Sequence, residues 1–521
     1  MAGRFIQNIR SGWRDQWGAV KTYARSEAFR ELLLWCLPAL VIGGVLRGLL
    51  IAHFPYGYMQ ADTGDYLITT ERLLRRHALV LHGKKSFLTP ILFTIPFLLH
   101  IPALIIVPLA QHLLGMILTV IAGALTRAWF AHWKWFIIPA TVLTTINPAM
   151  IWYEHALLAE AHYIFCVMTL ALAGTAFALR PTTAKFVWLL VALFFTAGSR
   201  PEGKLYVAFG ILLVALVYWG NRREWLQRMA ITLVACGLIW MSSRSEQAGL
   251  LLYATVLPLA PNVSKVAPDF SPVVNPLRDQ YIAEGPTVLQ KLTTAEKTIW
   301  NLVRDYARGK GEERFATGAF CQKLAVEAAM NKPFMLVGIA ANKFLMSCKG
   351  ATSGGYSDYW VQQKQIAAFT RKDWLYHLST GLTGRPMRTK EDVVAFVQRT
   401  SPPLNPDWFE ALQHRWSSLT LHKRLPDRQY PSQKVQGLSY FFLISFFGFF
   451  AALLRPGRLW RFHVCWVLTL FGVWFAVLLT GVVNPRYRFV FEPFCILYAL
   501  FFFDTLWSGG QALLARSRRG A

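Results

Sequence analysis

Residues 32–51 read LLLWCLPALVIGGVLRGLLI, an apolar stretch of twenty residues that decides what kind of protein this is. At a rise of about 1.5 Å per residue, a helix of this length crosses the roughly 30 Å hydrocarbon core of a bilayer. Only a helix satisfies its own backbone hydrogen bonds where water is absent. Comparable runs recur as far as Leu514; 54% of the 521 residues are hydrophobic and the mean hydropathy is +0.35. One soluble core of this size would need no such repetition. The bilayer is the main solvent.

The formal charge of +26 is spread between the apolar runs and forms no single basic stripe, which speaks for membrane orientation and against nucleic-acid binding. The seven cysteines include no CxxC pair. Cys36, Cys166, Cys236, Cys465 and Cys495 lie inside apolar runs, where thiols pack as small hydrophobes; only Cys321 and Cys348 are placed where a disulfide could form. Ahead of the first span, Phe5, Ile6, Ile9, Trp13, Trp17 and Val20 recur at helical spacing, with Arg4, Arg10, Arg14 and Lys21 offset from them. Residues 1–31 therefore read as a cytoplasmic, interfacial segment. Nothing there resembles a cleaved signal peptide, so the N-terminus is expected to be retained.

The basic N-terminal flank starts the span at residues 32–51 inside, by the rule that cytoplasmic loops are positively charged. The chain then threads outward and inward. Residues 52–102 form the first outer loop, in which the proline-punctuated run 87–99 reads as a helix on the outer surface. Expected spans follow at 103–125, 135–151, 161–179, 186–197, 205–219 and 229–241. Each inward end is basic: Arg127 and Lys134, Arg180 and Lys185, Arg222, Arg223 and Arg228. Residues 242–437 turn polar and proline-rich and read as an outer domain of mixed structure, with 333–346 expected to lie along the surface more readily than to span. Residues 438–521 add the last spans, 438–454, 462–483 and 489–506, and a basic tail. The expected fold class is an all-α polytopic membrane protein of about ten transmembrane helices, with both termini in the cytoplasm.

This threading sends the unusual polar clusters to one side. They are Asp62 and Asp65, Glu154 and Glu160, Arg200 and Glu202, and Arg486 and Arg488. Ionisable groups beside spans cost free energy unless they meet water, a partner or a ligand, so several from distant segments point to a shared cavity. Either aspartate could instead cap the helical run that follows; as a catalytic group it would accept a proton from an attacking hydroxyl. Lys84 and Lys85 belong to an outer loop that also carries Arg72, Arg75 and Arg76, an excess of positive charge that lipid headgroups or a phosphate ligand would explain. Lys85 is the better phosphate candidate. Glu154 and Glu160 are six residues apart and do not share a helix face; Glu160 enters the next span and is the costlier placement. Arg200 and Arg486 sit at outward helix ends, where they either snorkel to headgroups or bind phosphate. A divalent cation held by Asp62 and Glu160 is compatible with oxygen ligation, which needs no fixed spacing. No zinc spacing, nucleophile elbow, Walker loop or dinucleotide fingerprint occurs.

With Asp62 and Tyr66 opening the first outer loop, the chain resembles the GT-C superfamily of polyprenyl-phosphate-dependent glycosyltransferases, a group with protein O-mannosyltransferases, the aminoarabinose transferase and arabinofuranosyltransferases. Thr63 stands where that family commonly has a second acid. Lys85 in Lys84-Lys85-Ser86-Phe87 looks like the family's lysine before the surface helix, without the prolines that usually follow. Asn147-Pro148 followed by Glu160 is similar to its second outer loop, and Ser199-Arg200-Pro201-Glu202-Gly203 and Asn484-Pro485-Arg486-Tyr487 look like its outer helix ends. The resemblance implies inverting transfer of a sugar from a polyprenyl phosphate to a hydroxyl of a glycan, lipid or protein. It implies Asp62 as base, Glu160 as positioning group, and Asp65, Tyr66, Lys84, Lys85, Glu154, Arg200, Arg486 and Tyr487 as substrate contacts. The setting would be the outer, periplasmic face of a bacterial cytoplasmic membrane, in cell-envelope synthesis. A lipid-linked sugar flippase would also gather charge in the membrane, but no repeated pair of broken helices appears and the polar groups lie at one face, away from the midplane. An O-antigen-type ligase would lack the early Asp62 loop.

Overall fold

The computed structural model describes residues 26–58, 61–77, 86–241, 247–284, 292–310, 317–347, 389, 391–392, 395, 406–418, 420–421, 438–455, 457–480 and 489–520. The first span, α1 (Glu27–His53), begins where the Ser26 hydroxyl accepts from the Phe29 amide at 3.2 Å, and Glu27 in its first turn complements the helix dipole. The outer loop folds into α2 (Ala61–Arg76) and α3 (Leu88–Leu98). Next come α4 (Ala103–Trp129), α5 (Trp133–Thr145), α6 (Pro148–His155), α7 (Glu160–Leu179) and α8 (Thr183–Ser199). A 3-10 turn over Pro201–Tyr206 leads into α9 (Val207–Val217) and α10 (Arg222–Met241).

The break between α5 and α6 is written in Asn147-Pro148. Proline at the first helical position disfavours a helical Asn147, whose side chain turns back to accept from the Ala149 and Met150 amides at 3.0 and 3.3 Å. The two helices meet at 46°, so the expected straight span 135–151 is a bent one. Its kink tightens the packing around α6, every residue of which is buried.

The stretch expected to be an outer domain contributes α11 (Gln247–Val256), α12 (Ser271–Glu284), α13 (Leu292–Gly309), α14 (Thr317–Asn331) and α15 (Pro333–Ser347). They enclose a second core that includes Tyr253, Phe270, Ile299, Val303 and Leu324. Cys321 lies in that core as a free thiol; Cys348 lies outside the described residues. After α16 (Asp407–Ser418) the only strands among the described residues are two-residue pieces, β1 (Thr420–Leu421) and β2 (Leu438–Ser439), paired antiparallel. The described part of residues 242–437 is thus almost wholly helical where mixed structure was expected. The chain ends with α17 (Tyr440–Leu454), α18 (Trp460–Thr480) and α19 (Glu492–Gly520). Gly448 lets α17 approach α19 backbone to backbone, since a Cβ there would come within 1.8 Å of the Tyr498 carbonyl oxygen.

Among the described residues, five helices are long and apolar enough to cross a membrane: α1, α4, α7, α18 and α19. The bent pairs α5/α6 and α14/α15 raise the number to seven if each counts as one span. The remaining expected crossings fall on shorter or less apolar helices, among them α8 and α17 of 17 and 15 residues, so the expected ten exceed what length and hydropathy support here. The basic ends do gather. Glu31 meets Arg127 at 3.2 Å and Lys134 at 3.1 Å, while buried Asp504 accepts from the amides of Ala131 and His132 at 3.0 and 2.9 Å and faces Arg455 at 3.5 Å. These are helix ends that charge assigns to the cytoplasm, and they form one end of the bundle.

Candidate functional site

At the opposite end the loops that follow α1 and α6 are stitched together by backbone. Tyr58 donates its amide to the His155 carbonyl and accepts from the Leu157 amide, each at 2.9 Å, making an isolated parallel bridge to Ala156. Gly57 adds a bond from its amide to the Leu104 carbonyl at 2.6 Å. The Thr63 hydroxyl then donates to the Leu157 carbonyl at 3.0 Å. The start of α2 is thereby held against the segment that leads, three residues later, into Glu160. Asp62 lies in the first turn of α2, inside the helix instead of ahead of it as a cap. Asp65 is half-buried, and Tyr66 is buried with its ring 6.0 Å from that of Phe93 on α3.

Glu160 and Arg200 close this end. Glu160 heads α7 and is fully buried; its Oε1 accepts from Arg200 Nη1 at 2.6 Å. Arg200 ends α8 in an extended conformation and also contacts Glu202 through Nε at 2.5 Å, with its guanidinium 5.7 Å from the Tyr163 ring centre. One cation is thus shared between two carboxylates and an aromatic face. The short surface helix joins in: Thr89 on α3 lies 2.7 Å from His162 Nε2 and donates to the Ser199 carbonyl at 3.5 Å. The structure therefore brings α2, α3, Glu160 and Arg200 to one place.

Glu154 is arranged differently from the expectation that it would face an outer cavity. Its carboxylate takes a bidentate clamp from Arg47 of α1, at 2.6 Å from Nε and 2.7 Å from Nη2, and a third contact from His112 Nδ1 at 2.9 Å. Arg47 Nη1 further donates to the carbonyls of Gly43 and Thr145. His112 Nε2 sits 3.0 Å from His155 Nδ1, and His155 Nε2 lies 3.0 Å from the Tyr56 carbonyl. Gly115 makes room for the carboxylate, because a Cβ there would lie 1.9 Å from Glu154 Oε1. All four side chains are buried. The glutamate is committed to an internal polar chain that ends where Tyr58 meets His155. Sequence reasoning passed over Arg47 and His112; an ionisable residue inside an apolar run was the sign that could have found them.

Lys84, Lys85, Arg486 and Tyr487 lie outside the described residues, as does the Asp62 side chain. The chain resumes at Phe489, whose ring is 4.3 Å from Tyr153, and Glu492 accepts from Asn147 Nδ2 at 2.6 Å. For a divalent cation the donor set is poor: Glu160 already faces the Arg200 guanidinium, and no group of three His, Cys, Asp or Glu among the described residues could hold a metal ion. The expected Asp62–Glu160 cation site has no support from Glu160.

No protein-family model matches the chain, and no curated protein does. Among solved structures it is similar to ArnT from Cupriavidus metallidurans bound to undecaprenyl phosphate, at 12% identity over 91% of this chain and 78% of that one, with a TM-score of 0.30. That score is too low to assign a fold or an activity, and what the chain can be called on its own residues is a helical integral membrane protein with a polar junction between two loops at one end of the bundle.

Proposed function

We propose that the chain is an inverting glycosyltransferase that moves a sugar from a polyprenyl-phosphate donor to an acceptor hydroxyl at the outer membrane face. The observation that carries this reading is the loop junction, where Thr63 and Tyr58 hold the first turn of α2 against the segment leading into Glu160 and its partner Arg200. An acidic helix start and a buried arginine beside a bilayer are the two groups such a transfer needs.

In this reading Asp62 takes the proton from the acceptor hydroxyl as its oxygen attacks the anomeric carbon. The bond from that carbon to the phosphate oxygen breaks on the opposite face, and its electrons leave with the polyprenyl phosphate, inverting the configuration. Negative charge grows on the departing phosphate, which Arg200, Lys85 and Arg486 offset electrostatically. Glu160 and Glu202 orient the Arg200 fork. Tyr66 and Asp65 line the acceptor side of the helix start. The reading sets the protein in a bacterial cytoplasmic membrane, acting on a glycan, lipid or protein of the cell envelope. No metal step is required.

The test is reconstitution in vesicles with a panel of radiolabelled polyprenyl-phosphate sugars. Release or transfer of one label is the expected result, and Asp62→Asn removes it by about 10²–10⁴-fold, the usual worth of a general base, while donor binding persists. Near-normal turnover in that variant overturns the assignment of Asp62. Label carried across the bilayer without bond cleavage would identify a flippase instead.

A further inference from the structure

The corner between α14 and α15 is out of keeping with a domain that stands in water. Asn331-Lys332-Pro333 turns the chain by 102°. Around it Met330 is 75% exposed, Phe334 90%, Met335 55% and Val337 64%. Lys332 is the only charged residue between Glu327 and Lys343. Leu336 and Ile339 pack on the outer-domain core, so the apolar residues that remain exposed face away from it. A contiguous patch of this kind marks a surface that meets something apolar.

The far end of α15 fixes its depth. Phe344 lies 5.0 Å from Trp474 of α18 and 5.5 Å from Phe446 of α17, ring centre to ring centre. Lys343 Nζ donates to the Leu478 carbonyl at 2.9 Å and to Thr255 Oγ1 at 3.0 Å, bolting α15 and α11 to the last turn of α18. α18 has 21 residues, about 30 Å, which is the full hydrocarbon thickness. Trp474 is six residues short of its outer end at Thr480, and Phe446 is six residues past the outer start of α17 at Tyr440. At a rise of about 1.5 Å per residue each lies about 9 Å below the outer helix ends. The two helices, running in opposite directions, thus give the same depth for Phe344 below their outer ends. Measured on that scale, the C-terminal end of α15 falls within the outer leaflet, deeper than the surface position its sequence alone suggests.

We propose that the α14–α15 corner is embedded in the outer leaflet, with Met330, Phe334, Met335 and Val337 among acyl chains and Lys332 reaching back to lipid phosphates. α18, against which α15 packs through Phe344 and Trp474, itself exposes apolar side chains, Leu468 at 56% and Phe475 at 44%, so acyl chains are the occupant that the neighbouring surface already implies. A cation on a long stem at the edge of such a wedge reaches the headgroup layer. The wedge anchors the outer domain independently of the spans, and it holds whether or not the protein is a transferase.

The test places an environment-sensitive fluorophore on Phe334→Cys, on Met335→Cys and, as an aqueous reference, on Asp305→Cys, which is exposed on α13. Each variant is held as one copy per lipid nanodisc, with the wild-type protein carried through labelling as the blank. The expected result is a blue-shifted emission at 334 and 335, loss of fluorescence to lipids carrying a nitroxide high on the acyl chain, and protection from aqueous iodide. The 305 probe should respond to iodide alone. Equal iodide quenching at all three positions overturns the proposal. So does protection without lipid quenching, which would mean that protein covers the corner, and so does protection that appears only in discs holding two copies, which would make the occupant a second chain.

Discussion

Two buried arginine–glutamate pairs in this protein look alike in sequence and differ in what surrounds them. In Arg47–Glu154 both carboxylate oxygens and all three guanidinium nitrogens have partners inside the helices, and His112 completes the set. Arg200–Glu160 sits at the meeting of a helix start and a helix end, with the cation divided between Glu160 and Glu202. The first is closed and holds the fold. The second lies at the loop junction, beside the segment held against the start of α2, and is the pair to which the proposed function assigns a part in the chemistry. A buried pair is weak proof of stability in itself; what separates the two is whether removing one partner strands the other.

The largest expected effect comes from Arg47→Ala. It takes the bidentate partner from buried Glu154, leaving only the His112 contact, and should cost about 3–5 kcal/mol, read as a collapse of thermal stability in detergent. Replacing both partners together, as Arg47→Met with Glu154→Leu, should recover most of that loss; failure to recover would mean that the pair does more than satisfy itself. Arg200→Lys keeps the charge but loses the fork. The unfolding midpoint should stay near wild type while sugar transfer falls on the order of 10²-fold, as when one charge-stabilising donor is removed. If stability falls and turnover per folded molecule does not, the two pairs are of one kind and the contrast fails.

A smaller effect is expected at the stitch. Thr63→Val deletes the bond to the Leu157 carbonyl and should cost about 0.5–1.5 kcal/mol, with a rise in the KM for the acceptor that a purely internal bond would not produce. The smallest belongs to Arg75→Ala, which removes an exposed pair with Glu71 on α2 and should change stability by less than about 0.5 kcal/mol. An effect of Arg75→Ala on transfer as large as that of Arg200→Lys would shift the phosphate site toward the outer flank of α2.

The spans of this protein are legible in its sequence because hydropathy and basic flanks act locally: α1, α4, α7, α18 and α19 stand where the apolar runs are. The kink at Asn147-Pro148 is local too, although its direction is not. What could not be read is pairing at a distance. Thr63 looked like a gap in an acidic motif, and its partner is a backbone carbonyl 94 residues away. Glu154 and Glu160 differ by six positions, yet one turns in to Arg47 and the other to Arg200, a choice made by the bend of α6 and the start of α7. α15 carries too little sequence to show its depth, which is set by aromatic contacts from two later helices.

The bridge between Tyr58 and the 155–157 segment has a consequence for divergence. Its bonds run from amide to carbonyl, so any residue other than proline at 58 or 157 preserves them. Exposed side chains of the two loops can therefore be exchanged without undoing the join, whereas buried Tyr58, Ala156 and Leu157 are held by packing. For a protein engineer this is a ready hinge pin: recognition can be rebuilt on either loop by mutation while the backbone keeps the two in register.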